Sequence, residues 1–317
     1  EDSGCLGGMM TRGNAGLTMY TKFSGDPKQH VNDLKTIQDQ PEELLVVGGL
    51  AKEITERLFE AKAGLGTYGN PGKYVFTATE AFKCLLFEMM AENKVSLRLH
   101  SKLVGVVQEG DQLQGVVLES KSGRQVVPAK QFIDATGDGD LSVFAGADYT
   151  VGVTADDVCA QQSKVGDMMP MGVMFKLGNV DLSKTFAFLK ETPELFHKQI
   201  FARFTLAEAI AQFERGEMST FSLRPKKTPQ WMQVYNSPNP GEVTLCCPSY
   251  KGDGTDVESL TRAEVVMADI LKRWMGNLRD IPGFEESFLL DHPEIGVRET
   301  RHIQGDYVLN IEDIYHQ

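Results

Sequence analysis

The segment Phe132–Asp140 reads FIDATGDGD. A short apolar run empties into Gly137 and Gly139, and helix-forming sequence follows. Glycine lets a backbone come close to a ligand, and a helix N-terminus offers unpaired N–H groups and the positive end of a dipole. Such a turn at the carboxyl end of a strand suits a nucleotide, and it equally suits a plain structural turn. A second Gly-rich stretch opens the chain as EDSGCLGGMMTRG, with Gly7 and Gly8 shortly after the acid Glu1. A third candidate is GVRETRH, where Arg298 and Arg301 are three apart and His302 follows. On a helix the two arginines would share a face, and on a strand they would point to opposite faces. A guanidinium fork suits a carboxylate, with a salt bridge to Glu299 or another acid as the structural alternative. His302 is a candidate proton carrier, whereas His100, His197 and His292 have no partner pattern.

Composition narrows the chemistry. The 317 residues carry a net charge of -12, with 41% hydrophobic and 24% charged residues. That balance is globular, and the acidity disfavours nucleic acid and anionic membranes as partners. No apolar run is long enough for a transmembrane helix. The five cysteines are Cys5, Cys84, Cys159, Cys246 and Cys247, an odd and scattered set that reads as reduced thiols in a cytoplasm. Without a C-x-x-C pair, neither a zinc site nor a redox disulfide has support.

The elements that must position these residues follow from periodicity. Leu50, Ile54 and Leu58 predict a helix over 49–62, after a polar surface excursion from Asp26 to Glu43. Tyr68–Lys73, YGNPGK, is a turn signal. Phe82, Leu85, Leu86, Met89 and Met90 form the apolar face of a second helix, with Thr77 and Glu80 as its capping box. Residues 102–127 read as a three-stranded β-meander broken at EGDQ and KSGR. An apolar strand is predicted over Gln131–Asp134, with a helix from Leu141 to Ala147. Beyond about residue 153, strand-like GVMFKL, WMQVY and EVTLCC alternate with amphipathic helices. One helix carries Leu206, Ile210 and Phe213, and another starts near Thr261, with Glu264 as its capping partner, and runs past Trp274.

The order of these pieces resembles flavoproteins with the glutathione-reductase-like FAD-binding fold. In particular the chain is similar to an FAD-dependent oxidoreductase family through EDSGCLGGMMT (1–11), IDATGDGDLSVFAGA (133–147) and GVRETRHIQGDYVL (296–309). The resemblance implies an α/β fold: an incomplete Rossmann-like FAD-binding domain with a three-stranded meander, plus a second mixed α+β domain. It implies that Glu1 accepts hydrogen bonds from the adenosine ribose. Gly7, Gly8 and Thr11 would lie along the diphosphate and ribityl chain. Leu103 or Val104 would meet adenine through the backbone, and Thr136, Gly137 and Asp138 would border the ribityl–diphosphate region. Asp138 fits there only through water or a hydroxyl, because two like charges repel. Arg298, Arg301 and His302 would serve the substrate or the negative charge of reduced flavin. The resemblance also implies a G-x-G-x-x-G loop upstream and a flavin-closing segment downstream. The chain then reads as a fragment that holds FAD less tightly than its parent.

The expected division is 1–152 as a partial FAD-binding domain, 153–297 as a substrate domain, and 298–317 as the return to the first. The expected activity is hydride transfer from a small-molecule substrate to flavin, in the cytoplasm, with oligomeric state open. The alternatives are a fumarate-reductase-like or hydroxylase-like flavoprotein, and a non-catalytic FAD- or nucleotide-binding module.

Overall fold

The computed structural model describes residues 1–18, 48–66, 74–155, 163–197, 205–225, 231–307 and 313. The excursion at Asp26–Glu43 and the turn at Tyr68–Lys73 lie outside these residues. Helix α1 (Met9–Arg12) closes the opening Gly-Gly stretch, and strand β1 (Leu17–Thr18) follows. Helix α2 (Gly49–Glu60), strands β2 (Gly64–Leu65) and β3 (Tyr74–Thr77), and helix α3 (Thr79–Glu92) complete a first layer. Its sheet runs β1-β3-β2. Leu58, Val75, Ala78, Phe82 and Leu86 form its small core, so the apolar face read from the sequence of α3 does face inward. The capping box at Thr77 does not form. Thr77 ends β3, the N-cap is Ala78, and no side chain caps the helix. The strand holds Thr77 in its ladder with Gly64, one residue short of the N-cap.

The meander is present as β4 (Lys102–Glu109), β5 (Gln112–Ser120) and β6 (Gly123–Pro128), antiparallel throughout. The strand expected over Gln131–Asp134 is absent, and Ile133 is 89% exposed. A strand exists only as part of a hydrogen-bonded ladder, and this segment has no ladder partner among the described residues. Residues 95–99 run the same way, with Val95 and Leu97 exposed and no ladder. Every ladder among the described residues is antiparallel.

Helix α4 (Asp140–Phe144) and strand β7 (Tyr149–Val151) lead to the second layer. Its strands are β8 (Met171–Gly178), β9 (Phe196–His197), β10 (Thr220–Leu223), β11 (Met232–Asn236), β12 (Val243–Tyr250) and β13 (Phe288–Leu289). They form one sheet in the order β13-β8-β12-β11-β10-β9. Strand β8 alternates with period two. Met171, Val173, Phe175 and Leu177 face the large core, which helices α5 (Leu182–Glu191), α6 (Leu206–Glu214) and α7 (Val257–Leu278) cover. Phe175 meets Trp274 of α7 edge-on, and Phe186 of α5 packs against Phe213 and Phe221. Helix α7 begins earlier than its sequence signal. Asp256 caps it through Ser259 N, and Thr261 lies inside, donating back to Val257 O. Glu264 instead accepts from Ile295 N. A capping box does form on α6, between Thr205 and Glu208.

Lys176 lies on the opposite face of β8. Its Nζ donates to Thr77 O and to Glu242 Oε1, with the side chains of Lys176 and Glu242 only 5% and 11% exposed. This buried pair links the first layer to the large sheet. The last strand, β14 (Arg301–Ile303), pairs with β7 and returns the chain to the Gly turn.

Candidate functional site

The opening loop is built on two glycines that cannot be replaced freely. Gly7 has φ 104°, and a Cβ there would lie 2.6 Å from Thr11 Cγ2. Gly8 has φ 52° and open space where a Cβ would sit. One closes the loop and the other leaves a bare backbone. Thr11 is 2% exposed, and its Oγ1 donates to Leu6 O at 2.6 Å. It therefore braces the loop from behind, and its hydroxyl is already committed. Asn14, 3% exposed with φ 54°, anchors the loop from the other side. Its Nδ2 donates to Asp291 Oδ2, and its Oδ1 accepts from Thr79 Oγ1.

Glu1 lies beside segment 98–101, where Ser101 N donates to Glu1 O and His100 N donates to Ser3 O. The Glu1 carboxylate accepts from Ser3 N at 3.0 Å and Ser3 Oγ at 2.8 Å. Partial burial works against its charge, but the Ser3 bonds outweigh burial and hold the carboxyl below its ordinary range. Glu1 is thus an exposed, charged acceptor. In the meander, the β4–β5 register shifts between Leu103 and Gly105. Val104 falls in that bulge, and a bulged residue leaves the ladder. Leu103 remains paired with Leu118.

The Gly turn is organised by a residue that sequence reading passed over. Asp134 accepts from Thr136 N and Oγ1 and from Ser142 N and Oγ. Burial opposes its charge, but the Ser142 and Thr136 bonds prevail and keep its carboxyl below the usual range. Thr136 Oγ1 in turn accepts from Asp140 N. The D-x-T spacing, with a serine eight residues on, was the available signal. Gly137 has φ 88° with nothing within 4 Å of an ideal Cβ, so its backbone is open. Helix α4 has 5 residues, too short for a strong dipole, and the open backbone is the turn's main offering. Asp138 behaves oppositely to Asp134. Burial raises its carboxyl above the ordinary range, helped by the neighbouring Asp140 charge and opposed by Thr300 and Arg301.

One stretch, 291–303, touches both loops. Asp291 meets Asn14, Glu294 N donates to Arg12 O, and Arg12 pairs with Glu294. Arg301 Nη1 then donates to Asp138 O and Asp140 Oδ1, and Ile303 packs where a Cβ on Gly139 would sit. Seven residues from Glu294 to Arg301 span at most about 25 Å even fully extended. The two loops, more than 120 residues apart in sequence, are therefore brought within a dinucleotide's reach.

The arginine motif lies on extended backbone. Arg301 and His302 are consecutive on β14 and point to opposite faces. Arg301 is tied to the turn and lies 5.9 Å from the Tyr149 ring centroid, a positioning arrangement. Arg298 and His302 instead line a cleft of about 970 Å³ with Lys251, Met169 and Pro170. His302 Nε2 is 3.0 Å from Glu299 Oε1. Cys5, Cys84 and Cys246 are free thiols. Among the described residues no group of three His, Cys, Asp or Glu side chains is placed to hold a metal. No described helix is long and apolar enough to cross a membrane.

The model of the FAD dependent oxidoreductase family matches residues 1–317, and the chain belongs to that family, whose cofactor is FAD. No curated protein matches it. Among solved structures, a geranylgeranyl bacteriochlorophyll reductase-like protein from Thermoplasma acidophilum aligns at 11% identity and TM-score 0.37, covering 76% of this chain and 49% of that one. A flavin-dependent brominase aligns at 9% identity and TM-score 0.41, covering 90% and 59%. A myxobacterial chondrochloren halogenase described as FAD-dependent aligns at 12% and 0.41, covering 79% and 52%. The chain spans about half the length of these structures.

Proposed function

We propose that this chain supplies much of the FAD site, and part of the substrate site, of an oxidoreductase that acts on a small organic molecule. The observation that supports this most is the single stretch 291–303 that contacts both Arg12 and Asn14, just after the Gly7–Gly8 loop, and the Thr136–Gly139 turn. The residues fit the cofactor. Gly8 and Gly137 leave open space beside left-handed backbone, as a close-lying diphosphate and ribityl chain require. Glu1 is a charged acceptor for ribose hydroxyls, and Gly7 gives the loop its shape. The bulge at Val104, beside Leu103, frees backbone groups for adenine. Thr136 and Asp138 border the ribityl–diphosphate region, with Thr11 as the brace behind the opening loop. Bound there, FAD would supply two-electron redox chemistry.

The chain's own residues do the rest. Arg301 holds the turn against β14. Arg298 binds and orients the substrate, and His302, held by Glu299, moves a proton in the cleft. Residues 1–152 and 298–317 form the cofactor side, and 153–297 the substrate side. The bare apolar segments 95–99 and 131–135 are read as edges that a further strand of a longer parent pairs with. The free thiols suit a reducing, cytoplasmic setting. The test is anaerobic loss of oxidised-flavin absorbance on mixing FAD-loaded protein with candidate donors. Reduction faster than with free FAD supports the reading. FAD that stays oxidised with every organic donor class, while bound, refutes catalysis.

A further inference from the structure

We propose that the cleft at Lys251, Arg298 and His302 binds an organic carboxylate with an apolar body. The catalytic meaning of this site rests on the flavoprotein reading, but the binding itself does not. The acids and bases of the cleft are in unequal states. Asp167 Oδ2 accepts from Lys164 N, and Asp253 Oδ1 accepts from Thr255 N and Oγ1. Glu299 is doubly engaged, by Met169 N at 2.6 Å and by His302 at 3.0 Å. All three carboxylates of the wall are already in use. Lys251 and Arg298 have no hydrogen bond or ion pair among the described residues. Two unpartnered cations lining one cleft stand out in a chain of net charge -12. The three carboxylates keep their charge but are bonded to their own partners, which leaves the two cations as the groups free to meet a ligand.

The fold also makes room for the arginine. A Cβ on Gly172 would come within 3.3 Å of Arg298 Nη2, so the guanidinium lies close against bare backbone. A planar fork placed this way suits a carboxylate. Met168, Met169 and Pro170 also line the cleft and offer apolar contact to a carbon chain. At about 970 Å³ the cleft has room for a ligand well beyond a bare inorganic anion. The two free cations and the apolar lining residues together suit an acid with a hydrocarbon body.

The experiment is calorimetric titration of the protein, without added flavin, using hexanoate, hexan-1-ol, hexylammonium and inorganic phosphate. Hexanoate is expected to bind at least about tenfold more tightly than the other three. Arg298→Ala and Lys251→Ala should each weaken hexanoate by about tenfold. Arg298→Lys should recover part of the loss, because charge survives without the fork. Both side chains are exposed, and unchanged thermal unfolding of the variants will show that the fold is kept. No hexanoate binding, equal binding of hexan-1-ol, or variants that bind like the parent would overturn the proposal. Phosphate binding as tightly as hexanoate would overturn the apolar part. Flavin content is measured on the same samples. A fall in flavin affinity with Arg298→Ala would assign Arg298 to the cofactor and also overturn the proposal. Hexanoate binding without any flavin binding refutes the flavoprotein reading alone.

Discussion

Replacing Asp134 by Ala removes the acceptor that shapes the Gly turn. Four hydrogen bonds end on its carboxylate, at 3.1 and 2.7 Å from Thr136 and 2.8 and 2.7 Å from Ser142. At about 1.5 kcal/mol for a bond to a charged group, four would total about 6 kcal/mol. That sum is too large here. Two of the bonds come from one neighbouring threonine, the site is open to solvent, and water takes over the freed donors. A net loss of about 2–3 kcal/mol in the stability of the turn is the expected figure. Native-state hydrogen exchange at the Ser142 amide reads it directly, and the rate should rise about 30- to 150-fold. The sign with pH is fixed. The folded carboxyl sits below its unfolded value, so its contribution is full above about pH 4 and is lost as pH falls through the lower folded value. Asp134→Ala should flatten that acid limb. Exchange at Ser142 within twofold of the parent, with the acid limb intact, would refute the role given to Asp134.

Three further outcomes follow from the same geometry. Lys176→Met strands the buried Glu242 carboxylate and should cost about 3–5 kcal/mol in urea unfolding, and Lys176→Met with Glu242→Leu should recover most of it. Gly7→Ala combines a left-handed backbone with a Cβ 2.6 Å from Thr11 Cγ2, so it should lower stability by about 1–3 kcal/mol and weaken FAD binding. Asp138 is held above its unfolded value, so its penalty grows as pH rises from about 4 through the raised folded value and is full above it. Asp138→Asn should therefore be more stable than the parent near neutral pH and equal to it in acid, as thermal unfolding across pH would show.

The meander, the helices and the strands of the second layer were legible because each carries its own period. The strand over Gln131–Asp134 was read from its apolar run, but a run does not supply a ladder partner, and Ile133 lies bare. The capping boxes at Thr77 and Thr261 matched a local pattern that longer-range pairing overrode: β3 claims Thr77, and Ile295 claims Glu264. The glycines of the site were visible because positive φ demands them. Asp134 and Asn14 were not, since their importance lies in the groups they meet and not in their spacing. Arg298 and Arg301 look alike in sequence, and only the fold separates them. One is locked to the Gly turn, and the other faces the cleft.

The central claim is that Glu1–Thr11, Leu103–Val104 and Thr136–Gly139 form one FAD site. Amide hydrogen exchange with and without saturating FAD tests it most directly. The account predicts slowed exchange at Gly7–Thr11, at Val104 and at Thr136–Gly139 together, with AMP protecting Val104 but not Thr136–Gly139. Protection confined to one of these stretches, or found only elsewhere in the chain, would contradict it.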